Sequence, residues 1–566
     1  MDERSAARIR VFLNDPAGQG EAPVPSIPPL DTERSPWGFR VEGSPPAPAE
    51  YPPDTPEFLH WQMAAALERS RALWARLLPE AGEWVPGLVL PAFPIAGEGL
   101  NAFYDRRALR FFRGENPATG QVVHAGDSPD IVAHEGGHAV LDAVRPDLWD
   151  APHFEAAAFH EAFGDLASIL VAFDEPALVR AVLGETRGEL ARSNLVSRVA
   201  EELGAAAHAR YGPGVALPDA LRDAVNTFAY SDPTGLPTSA PPESLSAEPH
   251  SFCRVLTGAC WDVLVALYTA AGGGEGIPSG DEGALARAAH QTGLLFTEAA
   301  LRAPVGADFF QRITRRMVRA ANALGIAKAV EDPLQRRGLA LPDGSDEGRP
   351  VPILPREGPF PLPGPEGALA PGLIRTILDR LPEEPAGEIL LRAPRGEILR
   401  GRRRRDLFLH GPEYGPADGA AVEISDSFSL QRTETGYVTA SAVTVADTKD
   451  EQDARSWVRF LASRGEIAAV EEAADPARLF LLRKSHFVVL EEDGVRRLRR
   501  AWVMRGFSRG SRRKEASHAA ISDKSRSSFS AEPLGRLCDR PELRSSRQRR
   551  ARIARCLPGR PRRLHF

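Results

Sequence analysis

The sequence predicts an α+β protein that contains more than one domain. The chain has 566 residues, and a chain of this length usually folds into several domains. Apolar residues recur at helical spacing through most of the stretch 130–324, and short β-like runs lie before and after it. A segment dense in Pro and Gly at 343–371 separates these two parts and predicts a linker.

Composition divides the chain further. Residues 1–54 are rich in Pro and predict an extended leader. Residues 55–342 form the first predicted domain, and residues 372–500, after the linker, form a small α+β domain of unknown role. Residues 501–566 carry 18 Lys and Arg against 5 Asp and Glu, which predicts a basic, disordered tail.

Hydrophobic periodicity predicts the elements of both domains. In the first domain we expect strands near 88–93 and 109–112, and helices near 56–80, 130–144, 153–173, 176–184, 194–209, 216–227, 250–272, 281–302 and 306–324. In the second domain we expect helices near 372–381 and 450–464, and strands near 421–430, 437–445 and 479–490. The first domain should therefore be mostly helical after residue 130.

The composition also excludes several classes of protein. Four Cys are too few for a disulfide-stapled scaffold. The first residues lack the apolar core of a signal peptide, and no run approaches the roughly 20 apolar residues that span a bilayer. The Arg-rich tail lacks interleaved aromatic residues for base stacking. We therefore expect a cytoplasmic protein with no membrane span and no nucleic-acid partner.

The run His134-Glu135-Gly136-Gly137-His138 carries the strongest chemical signal. Residues four apart lie on one face of a helix, so both imidazoles can bind one metal ion at about 2.0–2.1 Å. Glu135 lies beside that ion and can take a proton from a bound water. Two Gly inside a helix cost about 1 kcal/mol each relative to Ala, which favours a helix approached closely by another backbone. The motif predicts hydrolysis by metal-activated water, with Glu135 as the catalytic base.

A catalytic zinc ion takes a third protein ligand and keeps one position open. Residues 141–143 are Leu, Asp and Ala, where the metzincin class has a Gly on the way to a third His, so that class is excluded. Glu161 and Asp165 are four residues apart on the next predicted helix and share one face. Glu161 can bind the metal while Asp165 accepts the outer N–H of a ligand His and fixes its tautomer.

These motifs resemble those of the gluzincins, specifically the thermolysin-like metallopeptidases. The resemblance implies one catalytic Zn²⁺ bound by His134, His138 and Glu161, with Asp165 behind a ligand His. It covers residues 55–342 and implies a small β-containing N-terminal lobe, a mostly helical C-terminal lobe and zinc in the cleft between them. The implied activity is that of a zinc metalloendopeptidase, and the implied partner is a peptide or protein substrate.

Three further positions fit the resemblance. Asn101 and Ala102 begin a run similar to the family's edge strand, which holds an extended peptide as an added strand. Arg222, in an Ala-Leu-Arg-Asp run, is similar to the Arg that orients the substrate carbonyl. His250 follows 28 residues later, as expected for the family's transition-state histidine. The resemblance implies that His250 and Arg222 stabilise the oxyanion.

The sequence departs from the family close to the metal. His160 precedes Glu161 where the family usually has Asn, and it can bind the metal or make the contact behind a ligand. Glu155 and His153 are weaker alternatives for the third ligand. Trp149 stands where the family has a Tyr near the oxyanion, and it lacks the hydroxyl.

The residue that pairs with the transition-state histidine also differs. Leu245 occupies the position of the Asp that the family pairs with His250. Glu248 and Glu243 are the candidate substitutes. Whichever carboxylate lies against His250 would hold its imidazole in place.

Two other family features are not traced in the sequence, namely an inhibitory propeptide and an acidic Ca²⁺ cluster. Asp174 and Glu175 are candidates for a Ca²⁺ site, against a simple solvated turn. The departures at Trp149 and Leu245 support an alternative, a catalytically weak or inactive metallopeptidase-like scaffold. The complete ligand set and Glu135 favour the enzyme, and the oligomeric state is left open.

Overall fold

The computed structural model describes most of the chain in two stretches. They are residues 8–340 except 20–22, 30, 35, 80–83 and 273–281, and residues 389–504 except 393–397, 433–437, 445, 447, 470–478 and 480–481. All of them belong to one compact unit, Met1–Gly510. The predicted linker, the helix expected near 372–381 and the tail after residue 504 lie outside the described residues.

The described chain mixes α-helices with several small sheets, as the sequence predicts. Its helices are α1 (Pro16–Gln19), α2 (Pro56–Leu77), α3 (Pro129–Val144), α4 (Phe154–Phe173), α5 (Pro176–Thr186), α6 (Glu201–Tyr211), α7 (Pro249–Ala270), α8 (Glu282–Arg302), α9 (Phe309–Ala323), α10 (Ala327–Arg336) and α11 (Thr448–Ser463). Most of them lie within four residues of the predicted bounds, because their apolar faces are long enough to define the helical period.

The strands before residue 340 are β1 (Ile9–Val11), β2 (Val24–Ser26), β3 (Gly38–Val41), β4 (Val89–Phe93), β5 (Ala102–Tyr104), β6 (Leu109–Phe111), β7 (Arg113–Glu115), β8 (Val122–His124), β9 (Arg198–Val199) and β10 (Arg222–Asp223). The later strands are β11 (Ile389–Arg392), β12 (Ile398–Phe408), β13 (Ala421–Arg432), β14 (Val438–Thr444), β15 (Ile467–Ala468), β16 (His486–Leu490), β17 (Arg496–Arg500) and β18 (Val503–Met504).

These strands form two larger sheets and three two-stranded ones. The five-stranded sheet has the order β18-β5-β6-β4-β3, and the seven-stranded sheet has the order β11-β12-β13-β17-β16-β15 with β14 on β13. Strands β3, β4 and β6 are parallel, whereas β5 is antiparallel to both β6 and β18. The first of these sheets therefore joins residues near both ends of the described chain.

The prediction that residues 1–54 form an extended leader is wrong for their described part. Strand β1 pairs with β2, and β3 adds to the five-stranded sheet beside β4. Trp37 is fully buried against Trp84, with ring centroids 4.7 Å apart. The many Pro residues shorten these strands, but they do not prevent the apolar residues between them from reaching the core.

The helix predicted at 216–227 is also wrong, and α6 begins later than predicted. Arg222–Asp223 forms strand β10, which pairs with β9, and the Leu221 amide donates to the Val199 carbonyl. Ala216, Ala220, Leu221 and Ala224 of this segment are buried, but they lie outside any helix. Their spacing matches the helical period, but pairing with β9 fixes an extended backbone at Arg222 and Asp223.

Helices α3 and α4 pack at very short distance in the core. A Cβ at Gly137 would lie 2.8 Å from Ala167 Cβ, and a Cβ at Gly164 would lie 2.6 Å from His134 Cε1. At Gly137, therefore, α4 approaches α3 as closely as the sequence predicts. A Cβ at Gly136 would meet only ordinary contact at 3.4 Å from Ser70 Oγ, so only one of the two motif glycines is required by packing.

Two helices in the described part of the chain, α4 and α7, have the length and apolar composition of a membrane span. In α4 the relevant window is 100% buried within the protein, and in α7 it is 78% buried. Buried core helices meet the same criteria, so neither helix is evidence for a membrane span.

The region after residue 400 packs directly on the helical core. Helix α11 lies against the start of α4, where Trp457 and Phe460 contact the Phe154 ring at 5.9 and 6.4 Å between centroids. His153 Nδ1 lies 2.8 Å from Asp453 Oδ2. These contacts bring the C-terminal region to the elements that carry the predicted site.

Candidate metal centre

Helices α3 and α4 bring His134, His138 and Glu161 together. One ligand atom from each residue lies within 4.8 Å of the other two, and all three residues are buried. Ser128 caps the N-terminus of α3, and the helical repeat then places both imidazoles on one face. The close packing of α3 on α4 brings Glu161 to that face. The group could hold a metal ion.

The donor atoms of this group are placed for metal coordination rather than for hydrogen bonds to one another. The Nε2 atoms of His134 and His138 are buried and make no hydrogen bond within the described part of the chain. They lie 3.5 and 3.7 Å from the Glu161 carboxylate oxygens. Buried polar atoms are normally hydrogen-bonded, so this arrangement suits coordination. Two imidazoles and one carboxylate are a typical ligand set for catalytic zinc.

The protonation of His138 also suits a ligand. Burial lowers the pKa of His138 well below its usual range, and the neighbouring His134 and His160 lower it further. A metal binds the neutral imidazole, so a lowered pKa keeps the ligand form present at neutral pH.

Asp165 lies against the His134 ring. Its Oδ1 is 3.2 Å from His134 Nδ1, on the ring edge away from Nε2. Arg222 donates to the same carboxylate from Nε at 3.0 Å and from Nη2 at 2.6 Å. Although burial raises it, the Arg222 guanidinium and His134 together hold the pKa of Asp165 well below its usual range. The ionised carboxylate can therefore orient the His134 ring.

Asp165→Asn is expected to weaken metal binding by this group by about 10–100-fold, because the amide cannot hold the His134 tautomer as a carboxylate does. A competition titration against a fluorescent zinc chelator measures this change. Asp142→Asn is the matched control, since Asp142 is also buried and bonds Arg106 but lies outside the ligand group. Equal zinc affinities in the two variants would contradict the role of Asp165.

His250 lies next to Glu161, and the structure shows which carboxylate contacts the His250 ring. His250 Nε2 lies 3.4 Å from Glu161 Oε2, and His250 Nδ1 contacts the Glu248 carboxylate. Glu248 also caps α7 by accepting from the Ser251 amide at 3.1 Å. Glu243 is exposed. Of the two candidate carboxylates, Glu248 is therefore the one that lies against His250.

The charges of this pair reinforce each other. Although burial opposes both shifts, His250 lowers the pKa of Glu248 to about 2, and Glu161 and Glu248 raise the pKa of His250 to about 9. In the metal-free group these two carboxylates favour the protonated form of His250, whose Nε2 lies towards Glu161.

The structure does not bring the three alternative ligands into the group. The His160 ring lies beside His138, with 5.9 Å between centroids, but no atom of His160 joins the ligand group. Glu155 accepts from Tyr230 Oη and from the Phe310 amide, both at 2.7 Å. His153 pairs with α11, as described above. Among the described residues, Glu161 is the third ligand that the geometry favours.

Asn101 and Ala102 lie at the start of β5, where Asn101 Oδ1 accepts from the Ala102 amide at 2.8 Å. Trp149 is buried near the same strand, in edge-to-face contact with Tyr104 at 5.5 Å between centroids. Its Nε1 donates to the Arg500 carbonyl at 3.1 Å. The indole at this position therefore binds the C-terminal region, a contact that the sequence analysis missed.

A second group of acidic residues could also hold a metal ion. Asp15, Asp130 and Glu201 are buried, and one oxygen from each lies within 4.8 Å of the others. Asp15 Oδ2 and both Glu201 oxygens are buried without a hydrogen bond in the described structure, although Arg198 Nε lies 3.7 Å from Glu201 Oε1. Three carboxylates suit a hard cation such as Ca²⁺. The sequence analysis missed this group because its members come from three distant segments.

The two residues that the sequence analysis named for Ca²⁺ have other partners. Asp174 forms an ion pair with Arg76. Glu175 caps α5 by accepting from the Ala177 amide at 3.3 Å. Neither residue belongs to a metal-binding group found among the described residues, and both lie in the turn between α4 and α5.

The class that the fold and site define is therefore an α+β protein with a buried His-His-Glu group able to hold a metal. No family model and no curated protein sequence matches the chain. Among solved structures, the chain is similar to the precursor of protealysin, a metalloproteinase from Serratia proteamaculans. The identity is 16%, the match covers 53% of this chain and 87% of that chain, and the TM-score is 0.34. So weak a similarity adds no weight to the geometry of the site.

Proposed function

We propose that this chain is a zinc-dependent endopeptidase of the thermolysin-like type. The observation that carries the proposal is the convergence of His134, His138 and Glu161 with Glu135 and His250. A structural metal site needs only the ligands. A buried Glu next to the first ligand and a protonated His beside the third are what a hydrolytic site needs in addition.

His134, His138 and Glu161 would hold the zinc ion. Zinc bound by three protein ligands supplies Lewis-acid activation of water at its open position. The ligand helices are fixed by their close packing, so the residues would not need to rearrange to bind the metal. Asp165 would keep the His134 ring in the binding orientation.

Glu135 would act as the general base. It is fully buried and next to His134 on α3. Its carboxylate would take a proton from the attacking water and give it to the leaving amine nitrogen. The same group can do both, because the two proton transfers follow one another at one place.

His250 and Arg222 would stabilise the oxyanion that forms on the substrate carbonyl. His250 would donate from Nε2 while Glu248 holds its Nδ1. Arg222 uses Nε and Nη2 to bond Asp165, which leaves Nη1 to orient a substrate carbonyl. Preorganised donors of this kind each contribute about 2.7–4 kcal/mol to transition-state stabilisation.

The substrate class follows from the strand next to the metal helix. Asn101 and Ala102 at β5 would bind an extended peptide through the backbone, as an added strand. Backbone recognition suits peptides and proteins, which present the same N–H and C=O groups whatever their side chains.

One observation favours a second candidate, a metallopeptidase-like scaffold that binds without cleaving. Trp149 provides no hydroxyl to the oxyanion, and its only polar atom is bonded to the Arg500 carbonyl. A site that lost this donor would turn over slowly. The retained Glu135 favours the enzyme, because a binding protein does not need it.

The test is a measurement of metal content together with a peptide-library digest followed by mass spectrometry. Wild-type protein is expected to hold one zinc ion and to cleave library peptides, with cleavage stopped by a chelator and restored by added zinc. His134→Ala should lose the metal, whereas His160→Ala, a buried His outside the group, should keep it. Equal zinc content in all three proteins would reject the metal centre. Zinc-loaded protein that cleaves no peptide would favour the scaffold.

A further inference from the structure

Strand β5 has a partner on the side that would otherwise be the edge of its sheet. Val503 pairs with Tyr104 and Met504 with Phe103, in antiparallel register. This edge lies beside the metal helix, because Tyr104 Oη donates to Asp142 Oδ2 at 3.1 Å and Asp142 is one helical turn beyond His138. The end of the described chain thus occupies a strand edge next to the helix that carries His134 and His138.

The residues just before β18 are held by hydrogen bonds at Arg500 and by aromatic packing at Trp502. The Arg500 amide donates to Asp150 Oδ1 at 2.9 Å, and the Arg500 carbonyl accepts from Trp149 Nε1 at 3.1 Å. Trp502 is 8% exposed and packs near the Phe103 ring at 6.3 Å between centroids. The segment is therefore held by backbone pairing, by two polar bonds and by an aromatic anchor.

The Arg500 side chain lies near the metal-binding group through two intervening rings. Its guanidinium carbon is 6.0 Å from the Trp149 ring centroid, and the His160 ring is 6.1 Å from the same indole. The His160 ring is in turn 5.9 Å from the ring of His138, one of the three metal ligands proposed above. The segment therefore lies beside the metal-binding group as well as on the strand edge.

We propose that residues 500–504 occupy the place of an extended peptide substrate on β5, so that the chain keeps its own site closed. The proposal rests on the proposed function, which makes this edge the substrate-binding strand. An edge strand can pair with only one partner on its free side. A tethered segment acts at an effective concentration on the order of millimolar. A peptide must displace it, so the segment raises KM more than it lowers kcat.

The test uses the full-length protein with two Pro substitutions, Val503→Pro and Met504→Pro, which remove both N–H groups of β18. KM for a library-derived peptide is expected to fall about tenfold or more, with kcat nearly unchanged. The paired variant Val503→Ala and Met504→Ala keeps both N–H groups and serves as the control. Its KM should stay close to the wild-type value. Trp502→Ala, which removes the anchor and keeps the backbone, should lower KM in the same direction as the Pro pair.

Two measurements do not depend on catalysis. Amide hydrogen exchange at Tyr104, whose N–H points away from β6 and towards Val503, should become faster in the Pro pair than in the Ala pair. A fluorescein-labelled octapeptide with the sequence of residues 499–506 should bind the Pro pair and not the wild type, as measured by anisotropy. If no variant cleaves peptides but both measurements behave this way, the proposed function fails and the closed edge stands. The inference is overturned if the Pro pair and Trp502→Ala keep their zinc and fold but show the wild-type KM and no peptide binding.

Discussion

Glu135→Gln is expected to reduce kcat for peptide hydrolysis by a factor of about 10²–10⁴, the usual contribution of a general base. The amide has the shape of the carboxylate but cannot take a proton from water. Such a loss corresponds to about 3–5 kcal/mol of transition-state stabilisation. Zinc content should stay at the wild-type level, because Glu135 is not one of the three ligand residues. Steady-state kinetics on a peptide found in the library digest, together with metal analysis, measures both quantities.

Glu155→Gln is the matched control for this substitution. Glu155 is also buried, and it bonds Tyr230 and Phe310 rather than facing the metal group. Its replacement should lower stability and leave kcat near the wild-type value. A kcat that falls equally in both variants would mean that the loss comes from disturbed packing. A kcat that falls in neither would remove Glu135 from the mechanism.

The ligand set could be predicted from sequence because its geometry is local. His134 and His138 are related by one helical turn, and Glu161 and Asp165 by another, so helical periodicity alone places each pair on one face. What the sequence could not give is how closely the two helices pack. The contact of Gly137 with Ala167 closes that distance, and only the folded core shows it.

The remaining parts of the site depend on contacts that no local pattern reports. Trp149 and Arg500 are 351 residues apart, and they meet through a hydrogen bond and through the Arg500 guanidinium over the indole ring. Arg222 lies on a two-residue strand where periodicity predicts a helix, and pairing with β9 fixes its place beside Asp165. Strand β18 is also only two residues long. Short strands contain too few residues to show an alternating pattern, so their partners are visible only in the structure.

The acidic group of Asp15, Asp130 and Glu201 leads to a prediction about stability. Burial, together with the charges of Asp130 and Glu202, raises the pKa of Asp15 to about 8. Burial also raises the pKa of Glu201 well above its usual range. Without a cation, the native state therefore binds more protons than the unfolded state between about pH 4 and pH 8. The free energy of unfolding should fall as pH rises through this window.

Calcium is expected to reverse most of this loss, because a bound cation stabilises the ionised carboxylates. At a free concentration of 100 times Kd, one bound ion adds about 2.7 kcal/mol to the free energy of unfolding. Thermal melts at pH 5 and pH 8, with Ca²⁺ or with EGTA and with zinc held constant, should show a large calcium effect at pH 8 and a small one at pH 5.

Glu201→Gln distinguishes Ca²⁺ binding at this group from a general effect of salt. The substitution should increase stability without Ca²⁺ and decrease the stabilisation that Ca²⁺ provides. Gln has no charge to bury and no proton to take up on folding, so the substitution should raise stability at pH 8 in EGTA. The same change should remove most of the stabilisation by Ca²⁺, because one ligand is lost. A variant that melts like the wild type in EGTA and still responds fully to Ca²⁺ would place the calcium effect elsewhere in the protein.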